Sequence, residues 1–182
     1  SNAKIICDNQ LIKRQLSRLR SDLNVISSNE LINILEITED MDKMELNSWL
    51  EECRQNQLID GFVTTRSLHS SLKFKSRRHT LGLQRENPER THFIPPPLHG
   101  FTLLVSRKGF PSSTIESMND DAAFICHKIE SNLLDSLDQR INNITGIHVE
   151  QRKIGTILKE AKRSNDDSTI ESVIGKDGKP TN

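Results

Sequence analysis

The sequence has few aromatic residues and few cysteines, and each shortage excludes a class of protein. Its 182 residues include no tyrosine, one tryptophan and three cysteines. With so few rings, we do not expect base-stacking platforms for single-stranded nucleic acid. Cys7, Cys53 and Cys126 are odd in number, lie far apart and form no CxxC pair. This spacing excludes a disulfide framework and favours a reducing compartment, cytoplasmic or, in a eukaryote, nuclear.

Long apolar runs are also lacking. No stretch approaches the roughly 18 apolar residues that cross a membrane, and none has the pattern of a signal peptide, so we expect no membrane association. Lysine plus arginine and aspartate plus glutamate number 25 each. The net charge by itself therefore does not indicate a polyanionic partner.

Recognisable catalytic motifs are missing too. The sequence contains no HExxH, GxSxG, GxGxxG or calcium-loop pattern. His92 and His99 flank a triple proline without a cysteine or carboxylate at ligand spacing. Cys126 and His127 are neighbours on a predicted helix, where they point about 100° apart and cannot form a nucleophile–base pair. We predict no enzymatic activity, no metal and no cofactor.

The residues that are present suffice for a core, because 50 of the 182 are Leu, Ile, Val or Phe, which is above the roughly 20% below which chains tend to stay disordered. In the first half, apolar residues at three- and four-residue steps predict helices near 9–22, 28–36 and 39–56. Trp49 shares a helix face with Leu50 and Cys53, so we expect its side chain to be largely buried. After Gly61 the period changes to two, which predicts an antiparallel strand pair near 61–66 and 71–76.

The second half predicts a different organisation. Residues 79–100 contain Pro95-Pro96-Pro97 and predict a connector. Beyond it we expect a C-terminal helical region over 101–163 and a flexible polar tail over 164–182. The helical region contains one strand over 101–105, a long helix over 113–142 and a helix over 150–163. The expected fold class is α+β and mostly helical.

Residues 26–63 resemble a winged helix-turn-helix. Glu30-Leu31 followed by Leu35 and Thr38 is similar to the second helix and turn of that family, and Asn56-Gln57-Leu58-Ile59 to the end of its third helix. In this interpretation the domain spans 4–78, Phe62–Thr65 and Ser71–Lys75 are the wing strands, and 66–70 is the wing tip. The resemblance implies one of two roles, duplex DNA binding or protein–protein interaction within a larger complex.

Charge is distributed in two blocks of opposite sign. Residues 28–60 contain nine acidic and two basic residues, whereas residues 66–108 contain nine basic and two acidic ones. Phosphates would repel so acidic a third helix, because nonspecific affinity for DNA comes from cations. The sequence therefore predicts contact through a basic wing. The candidate nucleic-acid-binding residues are Lys73, Lys75, Arg77, Arg78 and Arg66, extended on the first helix by Arg14 and Arg18.

Two alternatives to this hypothesis stay open. In the first, the basic block is only a solvated face; in the second, it packs against the acidic block within one chain or between two. In the second case the protein is an interaction module without nucleic acid contact. The apolar strip of the 113–142 helix predicts a partner surface, either for another protein or for a homodimer.

Overall fold

The computed structural model describes residues 2–38, 40–83 and 93–175. These residues divide into two units. Unit 1 contains the described residues of 1–83 and 91–96 together with Gln139–Gly146, and unit 2 contains Pro97–Asp138 and the described residues from Ile147 onward. The chain is α+β and mostly helical, which confirms the predicted fold class.

Unit 1 is built on a small sheet of three parallel strands. The strand order is β2-β1-β3, so β1 lies in the centre and pairs Ile5 and Ile6 with residues of both neighbours. Its elements in chain order are β1 Lys4–Ile6, α1 Gln10–Leu19, β2 Asn24–Ile26, α2 Ser28–Ile34, α3 Lys43–Gln55, β3 Gly61–Phe62 and α4 Arg66–Ser71. A 3-10 helix, Gln139–Ile144, completes the unit.

The two faces of the sheet bury two separate cores. Alternate residues of a strand point to opposite faces. Ile6 therefore packs with Leu31 of α2 and Leu50 of α3, while the next residue, Cys7, packs with Leu16 of α1. The helices α2 and α3 cover one face of the sheet, and α1 covers the other.

The three N-terminal helices form close to their predicted positions. Helix α3 begins later than predicted because Asp42 and Glu45 form a capping box, in which each side chain accepts a hydrogen bond from the other residue's backbone N–H at 2.9 Å. The first predicted position of this helix, Glu39, lies outside the described residues. Trp49 packs on the core and is partly buried.

The predicted wing hairpin does not form. Strand β3 instead pairs parallel with β1, and the Val63 N–H continues that pairing by donating to the Ile6 carbonyl at 2.8 Å. Thr65 then accepts a hydrogen bond from the Leu68 N–H and caps α4, so residues predicted as wing tip and strand become helical. Leu72 and Phe74 are half-buried beside a turn, whereas the residues between and around them are exposed. This alternation produced the strand pattern in the sequence. The resemblance to winged helix-turn-helix domains stays a prediction.

Unit 2 departs from three further predictions. Its helices are α5 Ser112–Glu116, α6 Asp121–Ser136, α7 Ile154–Ser164 and α8 Asp167–Val173. The predicted 113–142 helix is interrupted, because Asp120 caps α6 by accepting from the Ala123 N–H at 3.0 Å. Residues 101–105 form no strand and leave Val105 88% exposed. Part of the predicted tail folds as α8. Connector residues 84–92 and tail residues 176–182 lie outside the described residues.

A buried carboxylate organises unit 2. Glu130 of α6 is 1% exposed, and its two oxygens accept hydrogen bonds from the backbone N–H groups of Leu98 at 2.7 Å and Val149 at 2.8 Å. These two residues lie on either side of α6 in the sequence. Glu130 therefore ties both flanking segments to the helix.

We predict that Glu130→Ala destabilises unit 2 by about 2–6 kcal/mol, because each of the two backbone N–H groups left unpaired costs about 1–3 kcal/mol. Amide hydrogen exchange should show loss of protection at Leu98 and Val149. Glu130→Gln, which keeps one accepting oxygen, should cost less. The exposed Asp135 of the same helix is the control, and Asp135→Ala should change stability by less than about 0.5 kcal/mol. Full protection of both amides in Glu130→Ala would contradict the role assigned to this carboxylate.

Candidate nucleic-acid interface

The basic segment, residues 66–78, carries exposed cations and no acidic residue. All five of its lysine and arginine side chains are exposed. Within the parts of the chain that the structure describes, no carboxylate forms a salt bridge with any of them. Five of the seven predicted site residues lie in this segment: Arg66, Lys73, Lys75, Arg77 and Arg78.

Aromatic contacts hold the basic segment in place. The ring of Phe74 packs edge-on against Phe62 of β3 at 6.1 Å and against His69 of α4 at 5.8 Å between ring centroids. Lys73 has a φ of 52°, a left-handed conformation that turns the chain after α4. The Arg78 guanidinium lies 3.4 Å from Nδ1 of His69, and since guanidinium only donates, this nitrogen is the acceptor. These contacts fix the position of the backbone that carries the cations.

A cleft of about 420 Å³ lies beside the basic segment. Glu51, Arg54 and Gln55 of α3 line one side, and residues 73–76 line the other. The basic segment thus adjoins the C-terminal half of the acidic helix, as one of the alternatives expects. The ammonium-bearing residues Lys73 and Lys75 nevertheless stay exposed.

An ion pair neutralises the carboxylate inside this cleft. Arg54 donates from Nε and Nη2 to the two oxygens of Glu51, both at 2.8 Å, and Gln55 donates to the same carboxylate at 3.3 Å. The hydrogen bonds from Arg54 are the main cause that lowers the pKa of Glu51, against the opposing effect of burial. Because Arg54 already balances Glu51, the two lysines give the cleft a net positive charge.

The two remaining predicted residues lie elsewhere on unit 1. Arg14 and Arg18 are exposed on α1, which packs on the face of the sheet opposite to α3 and Phe62. The sheet therefore separates them from the basic segment. The structure therefore does not place Arg14 and Arg18 on one contact surface with the basic segment, contrary to the prediction from the sequence.

The carboxyl ends of the strands gather polar residues that sequence reasoning did not single out as a group. Such an edge is where parallel sheets usually bind ligands. Here, Asp8 accepts from both the N–H and the hydroxyl of Ser28, at 2.7 and 2.9 Å. Thr64 donates to the buried Asn47 at 2.5 Å. Asp8 is thus hydrogen-bonded to Ser28, and Thr64 to Asn47. The polar residues at this edge therefore connect strands to helices.

Sequence reasoning also missed the wall that α3 contributes to the cleft. Its only sequence signal is the i, i+3 spacing of Glu51 and Arg54, which favours an ion pair on a helix but does not reveal a nearby segment. The cleft depends on the turn at Lys73 and on Phe74, which bring residues 73–76 to the helix. Local periodicity does not report such long-range contacts.

The other chemistry-bearing residues form no site in the described regions. Cys126 is buried, and His127 packs edge-on against Phe101 at 5.3 Å between ring centroids. His99 is exposed, and His92 lies outside the described residues. Across residues 2–38, 40–83 and 93–175, no three metal-binding side chains lie together, and no helix is long and apolar enough to cross a membrane.

Comparisons of the chain with models of protein families, with curated proteins and with solved structures find no match.

We predict that Arg54→Ala lowers the free energy of unfolding at neutral pH, because the carboxylate of Glu51 loses both of its hydrogen bonds from Arg54. The pKa of Glu51 is lowered in the folded protein. The contribution of the ion pair is therefore present above the ordinary carboxyl pKa and is lost as the pH falls through the lowered one. Urea unfolding, followed by the fluorescence of Trp49 on the same helix, should show the deficit shrinking in acid.

Glu51→Gln is the matched control for this prediction. It keeps hydrogen-bonding atoms at the same position but has no carboxyl group to titrate. Its stability relative to the double variant Glu51→Gln/Arg54→Ala should not depend on pH in the acid range. A deficit of Arg54→Ala that stays constant from neutral to acid pH would contradict the assigned cause.

Proposed function

We propose that the protein binds the sugar–phosphate backbone of nucleic acid, with duplex DNA as the expected partner, and acts in regulation or assembly on it. The observation that carries the proposal is the basic segment itself. Its five exposed cations have no salt-bridging carboxylate among the described residues. Lysine and arginine that neutralise phosphates release counterions and supply most nonspecific affinity.

The chemistry of the segment favours backbone contact over base reading. Phosphate contacts position a protein on a duplex, whereas base contacts need side chains that reach the groove edges. Helix α3, the third helix of the winged-helix interpretation, carries the exposed acids Glu45 and Glu52, which phosphates repel. Binding should therefore depend little on sequence.

We predict that replacing Lys73, Lys75, Arg77 and Arg78 together by alanine reduces the affinity for every short duplex alike. In the wild-type protein, affinity should fall steeply with salt. Each neutralised phosphate adds about 0.9 to the log–log slope, so four lost contacts lower the slope by about 3–4. Fluorescence anisotropy with two unrelated duplexes over a salt series measures both quantities.

Two controls locate the surface. Lys43→Ala, at the start of the acidic helix, should leave binding unchanged. Arg14→Ala/Arg18→Ala removes two cations on the opposite face of the sheet and should also have little effect. An equal loss in that double variant would mean that the surface includes α1. Absence of any binding by the wild type at low salt would reject nucleic acid as the partner.

A protein-interaction role is the second candidate, and exposed apolar residues of α6 favour it. Ile125 and Ile129 are 49% and 42% exposed, and Leu133, one turn further, is 46% exposed. Exposed apolar strips of this kind usually mark an interface. The occupant that we propose is a second copy of the chain, through the predicted 113–142 region.

We predict that the protein is a dimer and that Ile125→Glu/Ile129→Glu makes it monomeric without unfolding it, because both side chains are already partly in solvent. Light scattering at high protein concentration measures the mass, and circular dichroism checks the helix content. Ala123→Glu places the same charge elsewhere on α6 and should keep the dimer. A wild-type mass equal to one chain would remove the dimer.

A further inference from the structure

We infer that the cleft between α3 and residues 73–76 binds a terminal phosphate of a nucleic acid strand, that is, a phosphomonoester. This inference depends on the proposed function and adds to it. The basic segment would bind phosphates along the backbone, whereas the cleft would select strand ends. The lining, charge balance and hydrogen-bonding capacity of one open cleft support it.

The size of the cleft suits a small ligand group. Its volume of about 420 Å³ lies within the range of about 300–1,000 Å³ that is typical of ligand pockets. Its two sides come from parts of the chain whose relative position is fixed, because α3 packs in the core and Phe74 packs on Phe62 of β3. The cleft is therefore a built feature of unit 1.

The charge of the cleft matches a phosphomonoester better than an internal phosphodiester. Arg54 balances Glu51, which leaves the two positive charges of Lys73 and Lys75. A phosphomonoester carries a charge of about −1.5 to −2 at pH 7, whereas a diester carries one negative charge. Only a strand end neutralises both lysines with one group.

Hydrogen-bond donors are available beside this charge. Arg54 has five N–H groups, of which Glu51 uses two. Gln55 and Ser76 also line the cleft, and each donates one hydrogen bond to Glu51, so the second N–H of Gln55 is the neutral donor that remains. An anion in the cleft thus meets charged and neutral donors, which is the arrangement that makes phosphate hydrogen bonds strong.

The position of the cleft favours nucleic acid over a phosphorylated peptide. Arg77 and Arg78 follow directly after the cleft residue Ser76, and both are exposed. A strand whose end lies in the cleft has further phosphates for these two cations. A peptide with a single phosphate has no second anion to bind them.

The experiment compares blunt duplexes of one sequence that differ only at their ends: 5′-phosphate, 3′-phosphate or hydroxyl. At constant salt, the wild-type protein should bind one phosphorylated form at least about fivefold tighter than the hydroxyl form. The two phosphorylated forms decide which strand end is bound. Because the readout is a ratio of affinities, it is independent of the general backbone affinity.

Matched variants separate the cleft from the rest of the segment. Gln55→Ala removes the remaining neutral donor without changing any charge, and it should reduce the end preference while keeping the salt dependence with the hydroxyl duplex. Arg77→Gln/Arg78→Gln, outside the cleft, should weaken binding of all duplexes and keep the preference. Trp49 fluorescence checks that each variant is folded.

Three results would overturn the inference. Equal binding of all three duplexes with normal salt dependence rejects the cleft as an end site and leaves the proposed function intact. Absence of binding to any duplex rejects both. Displacement of the phosphorylated duplex by a singly phosphorylated serine peptide at equal concentration, without displacement by its unphosphorylated form, would assign the cleft to phosphopeptides.

Discussion

The parallel pairing of β1 with both of its neighbours is the constraint on which unit 1 depends. Lys4–Ile6 is short, yet it bonds to β2 on one side and β3 on the other, and Ile5 and Ile6 face opposite cores. Parallel strands cannot be joined by tight turns, so a helical crossover must follow each one. The order strand, helix, strand, two helices, strand follows from this requirement, and it decides which helix lies on which face.

The same pairing places the basic segment. Because β3 pairs with β1, the chain leaves the sheet after Val63. Thr64 then donates a hydrogen bond to Asn47, and Thr65 accepts one from the first turn of α4. The start of the basic segment therefore has a fixed position beside α3. Shortly after α4, the packing of Phe74 on Phe62 and His69 fixes the position of the segment a second time. Its cations are presented by helical and turn geometry where a hairpin wing was predicted.

Sequence patterns predicted what is encoded locally. The cores of α1, α2 and α3 follow apolar periodicity, and the exposed cations of the basic segment follow composition. The strands β1 and β2 were missed because three residues are too few to show alternation.

The prediction of a hairpin was wrong because Leu72 and Phe74, two residues apart, are both half-buried at a turn, which gives the same alternation as a strand. The long helix was wrong because its apolar spacing continues across Asp120, whose side chain caps a new helix. The ion pair of Glu51 had a local signal, whereas its nearness to Lys73 and Lys75 did not.

The two charge blocks cancel in the total, and because they adjoin at α3 their opposite signs constrain how a polyanion can approach. At physiological ionic strength, charges interact over about 8 Å, so each block acts mainly on what touches it. Inside the cleft, Arg54 removes the one acidic charge that would oppose an anion. The exposed carboxylates of α3, such as Glu45 and Glu52, have no such partner among the described residues. If a phosphate chain binds the basic segment, as we propose, it is attracted there and repelled where it touches those carboxylates. This asymmetry would favour one orientation of the backbone without any contact to a base.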